Sequence, residues 1–151
     1  MTSDSEQRTQ TAQSGSRPPN APDDLLSQLP FYDVIDADDT VVMDLHHRAD
    51  IVNSRGALQG GLIATLIDIT AGRLAIKHAQ GGAVAGTANM SIYFLAPIVE
   101  GPARATATVV RAGRHLIVVA VDVVDLSSDR LAVRATLSFA AVASPSSPVA
   151  D

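Results

Sequence analysis

The sequence predicts an α+β domain in which an antiparallel sheet of five to six strands wraps one long central helix. Three observations predict it. Residues 60–78, GGLIATLIDITAGRLAIKH, carry an almost unbroken apolar pattern at helical spacing. The segments on either side have strand character, and several alternate polar and apolar residues with a period of two. The last segments are joined by short turns, which favours antiparallel neighbours.

Each element follows from its residues. Residues 1–21 are rich in Ser, Thr, Gln and Pro, and 143–151 read the same way. Such stretches bury too little apolar surface to offset the entropy of ordering, so both are expected to be disordered tails around a domain at 22–142. Pro22, Asp23 and Asp24 open a short helix running to Leu29. Residues 31–39 and 40–47 are the first two strand candidates. Asp50, Asn53, Ser54 and Gly56 make the next stretch a loop, up to Gly60. The glycines at 81 and 82 stop the helix.

Four strands are expected after it. In 84–95, Thr87, Asn89, Ser91 and Tyr93 face one way and Ala88, Met90, Ile92 and Phe94 the other. Pro97, Gly101 and Pro102 break the chain. In 103–111, Arg104, Thr106 and Thr108 oppose Ala103, Ala105 and Ala107. After a turn at 112–114, residues 115–125 are apolar on both faces, as for a central strand. Residues 130–141 alternate again.

Composition bounds the function. The chain has 151 residues, enough for one domain, with 46% hydrophobic and 18% charged residues. Aromatics are 3%, so the core is built from Ala, Val, Leu and Ile. There is no cysteine, which excludes disulfides, thiolate catalysis and cysteine metal sites. A cytoplasmic location is expected. A net charge of −5 argues against a broad nucleic-acid surface. No uncharged apolar run reaches membrane-spanning length, and the start of the chain lacks a secretory pattern. No metal site is expected: His46 and His47, adjacent on a strand, point to opposite faces.

The chemistry centres on Asp68. On a helical wheel it lies opposite Thr70, Arg73 and Lys77, in a stripe with Gly61, Ala64, Ala71, Gly72 and Ala75. No basic residue of its own helix can pair with it. A carboxylate facing inward among small residues needs a partner from elsewhere or a raised pKa. The preceding turn adds Gly60 and Gly61, where a helix N-terminus leaves backbone N–H groups unpaired and open to an oxyanion. Asn53 adds a neutral amide that could hold a carbonyl or a water.

Asn53, Gly56, Gln59-Gly60-Gly61, Asp68 and Gly72 resemble the N-x-x-G-x-x-H-G-G-x(6)-D-x-x-x-G signature of PaaI-type hotdog-fold acyl-CoA thioesterases. Residues 87–101 and 109–125 resemble later strands of that family, so the likeness covers roughly residues 30–142. One departure stands out: the family's usual His is Gln59 here. The resemblance implies a hotdog fold, pairing into homodimers or homotetramers with sites between subunits, and an acyl-CoA substrate, with coenzyme A as part of the substrate and no cofactor. It implies Asp68 as general base or nucleophile, from the neighbouring subunit, with Gly60 or Gly61 as oxyanion donor. Asn53 orients the carbonyl or the water, Thr87 helps to hold the water, and Gln59 orients the turn. Arg114, with Arg111 beside it, is the candidate for contact with the nucleotide phosphates. Three competing readings stand beside this: a non-catalytic acyl-CoA-binding domain, a dehydratase or hydratase of the same fold, and a scaffold in which Asp68 only caps a neighbouring backbone.

Overall fold

Residues that alternate in the sequence pair into one sheet in the computed structural model, which describes residues 24–80 and 82–143. The strands are β1 (Phe31–Asp36), β2 (Thr40–Leu45), β3 (Gly82–Phe94), β4 (Ala103–Ala112), β5 (Leu116–Asp125) and β6 (Arg130–Ala143). One long helix, α1 (Gly60–Lys77), joins β2 to β3. The six strands lie in the order β1-β2-β4-β5-β6-β3, all neighbours antiparallel. The expected tails at 1–21 and 144–151 lie outside the described residues, whereas Ala143 closes β6.

The core lies between α1 and the inner face of the sheet. Leu66, Ile67, Ala71, Leu74 and Ala75 of the helix are fully buried against alanines and valines of the strands, such as Ala105, Val119 and Val121. Small alanines on β4 let the helix backbone come close, and burial of this apolar surface is the main force holding the layers together. β5 alternates fully buried residues with half-buried ones, in keeping with its central position.

Three expectations need correction. The stripe of small residues does not lie wholly inward but straddles the edge of the buried side: Ala71 and Ala75 are buried against the sheet, Ala64 and Gly72 are half-buried and Gly61 is exposed. The helix is therefore buried on the side that faces the sheet and open on the side away from it, where Ile76 also reaches solvent. The short helix near the start is a single 3-10 turn, Leu25–Gln28, capped by the Asp24 side chain. The loop before α1 contains another 3-10 turn, Ala49–Ile51, and a bridge from Val52 to Leu58.

The two flanks of α1 meet the two edges of the sheet. Arg73 binds Asp33 and Asp36 on β1, and Lys77 binds Asp36. On the opposite flank Asp68 faces β3. The wheel reading that set Asp68 against Arg73 and Lys77 thus corresponds to opposite edges of one sheet.

Candidate active site

Asp68 sits near the middle of α1 and accepts a hydrogen bond of 2.7 Å from the Thr87 hydroxyl. Strict alternation along β3 predicted Thr87 on the same face as Asn89, Ser91 and Tyr93. The structure reverses that. Thr87 pairs with Phe139 and Asn89 with Ser138, so Ala88 is an extra residue without a partner on β6. This β-bulge turns Thr87 to the inner face while Asn89 stays outside, a device that re-aims a side chain beside a site. Asp68 itself is half-buried, less enclosed than the sequence suggested. Its partner is this hydroxyl.

The turn before α1 is held by Asn53. Its side-chain oxygen accepts from the backbone N–H of Arg55 at 2.9 Å and of Ala57 at 3.2 Å. Its backbone N–H donates to the Ala57 carbonyl. The side-chain oxygen is thus committed to the loop, and the amide Nδ2 has no acceptor among the described residues. Gln59 occupies the N-cap position without capping the helix through its side chain. Instead its Nε2 lies 3.4 Å from the Val52 carbonyl, and its backbone N–H donates to Ile51. Gln59 therefore ties the loop to the helix start, a role open to an amide that both donates and accepts.

Beyond Gln59, the N–H groups of Gly60 and Gly61 find no acceptor among the described residues, as expected for the first turn of a helix. An added Cβ at Gly61 would meet nothing within 4 Å, and one at Gly60 would meet only the Phe94 ring, at 3.5 Å. Asn53 and Gly60 stand at the edge of a cavity of about 300 Å³ whose other walls are apolar, Phe94 and Ile98 among them. The sequence reading did not find this cavity. Its signal was weak, because the walls come from a loop, a helix and the end of a strand.

Within one chain the candidate residues form two separate groups. Asp68 lies eight residues beyond Gly60, about 12 Å along the helix. Thr87 and Phe94 are similarly far apart on β3, about 20 Å. The structure joins Asp68 to Thr87, and Asn53 to Gln59 and Gly60, but does not bring the two groups together.

Arg111 stands near the end of β4 and Arg114 in the turn that leads to β5. They line a cavity of about 590 Å³ together with His115, Leu116 and Val118. Arg111 pairs with Val118, whose neighbours Ile117 and Val119 point into the core, so this cavity opens on the face away from α1. The turn is nevertheless at the same end of the sheet as Thr87: Ala112, Ile117, Phe139 and Thr87 form one row across four strands. Neither arginine has an acidic partner among the described residues, whereas Arg48, Arg73, Arg104 and Arg134 are each in ion pairs. Among the described residues no cluster of His, Asp and Glu could hold a metal ion, and no helix is long and apolar enough to cross a membrane.

Comparison with known proteins agrees with this architecture. The family model described as the Thioesterase superfamily matches residues 55–132. A search of curated proteins found no match. Among solved structures, zebra fish thioesterase superfamily member 2 superposes with a TM-score of 0.68 at 22% identity, over 76% of this chain and 82% of its own. The E. coli PaaI protein from the phenylacetic acid degradation operon gives 0.69 at 19% identity, over 77% and 82%. The smu.793 protein of Streptococcus mutans, solved bound to acetyl CoA, gives 0.67 at 24% identity, over 75% and 89%. These likenesses identify the hotdog fold.

Proposed function

The chain belongs to the thioesterase superfamily, and from that premise we propose that it is an acyl-CoA thioesterase, hydrolysing a thioester to a free acid and coenzyme A. The observation that carries the proposal is the Thr87–Asp68 hydrogen bond on the β3 side of a helix whose first N–H groups are unpaired among the described residues. A carboxylate held by one donor keeps further lone pairs for a water. The unpaired amides of Gly60 and Gly61, with Nδ2 of Asn53, supply donors for the oxygen on which negative charge develops.

In the proposed reaction the thioester carbonyl accepts hydrogen bonds from the helix start. Asp68 takes a proton from water as the water oxygen attacks the carbonyl carbon. The tetrahedral intermediate then collapses, the carbon–sulfur bond breaks, and the proton passes to the departing thiolate. A carboxylate attacking directly as nucleophile, with water cleaving the anhydride afterwards, gives the same products. Thr87 orients Asp68, and Gln59 keeps the donor turn in place.

Asp68 and Gly60 of one chain are too far apart to act on one carbonyl, so the proposal requires a homodimer in which Asp68 comes from the neighbouring subunit. Two features support this. The 13-residue strand β3 is an edge of the sheet, with no strand on its outer side among the described residues, and the side of α1 turned away from the sheet is open. The structure of the S. mutans relative with acetyl CoA supports coenzyme A as the carrier, and Arg111 and Arg114 are the proposed contacts for its phosphates.

Gln59 in place of histidine favours keeping one second reading, an acyl-CoA-binding domain without turnover. A free-thiol assay over a panel of acyl-CoA substrates separates the two. Thiol release by the wild type, abolished in Asp68→Asn, is the expected result. Tight binding without thiol release in either protein would replace the enzyme with the binding domain.

A further inference from the structure

The cavity beside Gly60 has a buried floor and one exposed wall. Ala57, Leu58, Ile63 and Ile98 are each at most 5% exposed. Backbone hydrogen bonds fix the surrounding loops: Leu58 donates to the Ile98 carbonyl, and Leu95 and Ala96 donate to the Ala132 carbonyl. Phe94 differs. Its side chain is 55% exposed, at the last position of β3, and its ring edge lies 3.5 Å from where a Cβ of Gly60 would stand. The ring thus leans over the start of α1, outside the core of its own chain.

Asn53 and Gly60 stand side by side in the lining of this cavity, and its other lining residues carry apolar side chains. No charged side chain lines it, and the Arg130 guanidinium donates to the carbonyl of one lining residue, Pro97, at 3.4 Å. A carbonyl held at Asn53 and Gly60 would send its substituent into apolar walls. A volume of about 300 Å³ is at the small end of ligand pockets. A carboxylate at the far end of the acyl group would lie among side chains that offer it no positive charge.

We infer that this cavity receives the acyl group of the substrate, that the substrates are uncharged apolar acyl thioesters of modest size, and that Phe94 sets the size limit. The inference rests on the thioesterase reading for its substrate class. It goes beyond that reading in naming the pocket and the residue that closes it.

Calorimetry with non-hydrolysable S-alkyl-CoA thioethers of increasing chain length tests it in the intact protein. In the wild type, affinity should rise about fourfold per methylene up to a break point and then level off. Phe94→Ala should move the break point to longer chains by about two carbons or more, and Phe94→Trp should move it to shorter ones. The tryptophan variant decides the matter if the alanine variant fails to fold. An unchanged break point in the folded variants would overturn the inference, as would a wild type that binds no thioether at all. A parallel loss of affinity at every length would also overturn it, because the ring would then be contacting the thiol arm. Turnover in the same proteins separates the two readings. Shifted break points without thiol release would sink the enzyme and keep the pocket. Thiol release with unshifted break points would do the reverse. Succinyl-CoA hydrolysed as well as butyryl-CoA would overturn the apolar class.

Discussion

Thr87 Oγ1 donates to Asp68 Oδ1 at 2.7 Å, and it can do so because Ala88 is an extra residue in β3. The bulge therefore links a local irregularity in strand pairing to the chemistry proposed for the helix. Asp68→Asn preserves an oxygen acceptor for Thr87, so the fold should persist while activity falls by about 10²–10⁴, the usual contribution of a positioned base. Thr87→Val should cost about 10–100-fold, the size of a hydrogen bond to a charged group, with Thr87→Ser retaining most of the rate. Steady-state thiol release and thermal unfolding of the four proteins provide the check. An Asp68→Asn protein with wild-type rate would remove the carboxylate from the mechanism.

Gly61 offers a test in which stability and activity move apart. A Cβ there meets nothing within 4 Å of the chain. Glycine within a helix is less stable than alanine by roughly 0.5–1 kcal/mol, so Gly61→Ala should raise the melting temperature slightly or leave it unchanged. If the substrate lies against this backbone, the added methyl group crowds it, and kcat/KM should fall by up to about 10²–10³-fold, the cost of losing one oxyanion donor. Unchanged kcat/KM would mean that Gly61 faces no ligand.

These two tests also mark where the sequence was readable. The strong signals were legible: the apolar run that becomes α1, the alternating segments that become β3, β4 and β6, and the segment apolar on both faces that becomes β5. Asp68 was found because the helical wheel separates it from Arg73 and Lys77, and those cations do reach the other edge of the sheet. Thr87 was placed in the candidate site by resemblance, yet its face was misread. Alternation assumes an unbroken ladder, and a bulge breaks it without leaving a glycine or proline at Ala88 to announce it. The cavity at Phe94 was not legible. Its walls come from segments that are remote in the chain, and their approach is decided by packing rather than by any local pattern.

Gln59 tests the departure from the family signature. Its Nε2 lies 3.4 Å from the Val52 carbonyl, a long hydrogen bond and so a modest tether. Gln59→Ala should therefore retain a tenth or more of the wild-type rate, and Gln59→His should match or exceed it. Activity appearing only in the histidine variant would mean that a proton carrier is required at this position, and that the natural chain is not a thioesterase.

Arg114 and Arg111 border an open cavity at the β4–β5 turn and have no acidic partners among the described residues. Arginine without a carboxylate is suited to phosphate, which it binds through two parallel N–H groups. Arg114→Glu should raise KM for an acyl-CoA by about tenfold or more, while KM for an acyl-N-acetylcysteamine thioester, which lacks the nucleotide, changes little. Equal effects on the two substrates would dissociate the turn from the nucleotide.

The clamp between α1 and β1 gives a pH-dependent prediction independent of catalysis. Hydrogen bonds from Lys77 and then Arg73 hold the Asp36 carboxyl below the ordinary value of 3.8. A carboxylate whose folded pKa is depressed contributes stability above its unfolded pKa, and that contribution is lost as pH falls through the folded value. The contribution should thus be complete at pH 5 and above, and should decline below about pH 4. The Asp36 side chain is 45% exposed, so solvent screening keeps each pair to roughly 1 kcal/mol or less. Urea unfolding at pH 6 and pH 3 checks this. Asp36→Asn should lower stability at pH 6 and have a smaller effect at pH 3. The difference should shrink in 1 M salt, where exposed charges are screened over about 3 Å. An equal loss at both pH values would mean that Asp36 acts through packing of its side chain and not through its charge.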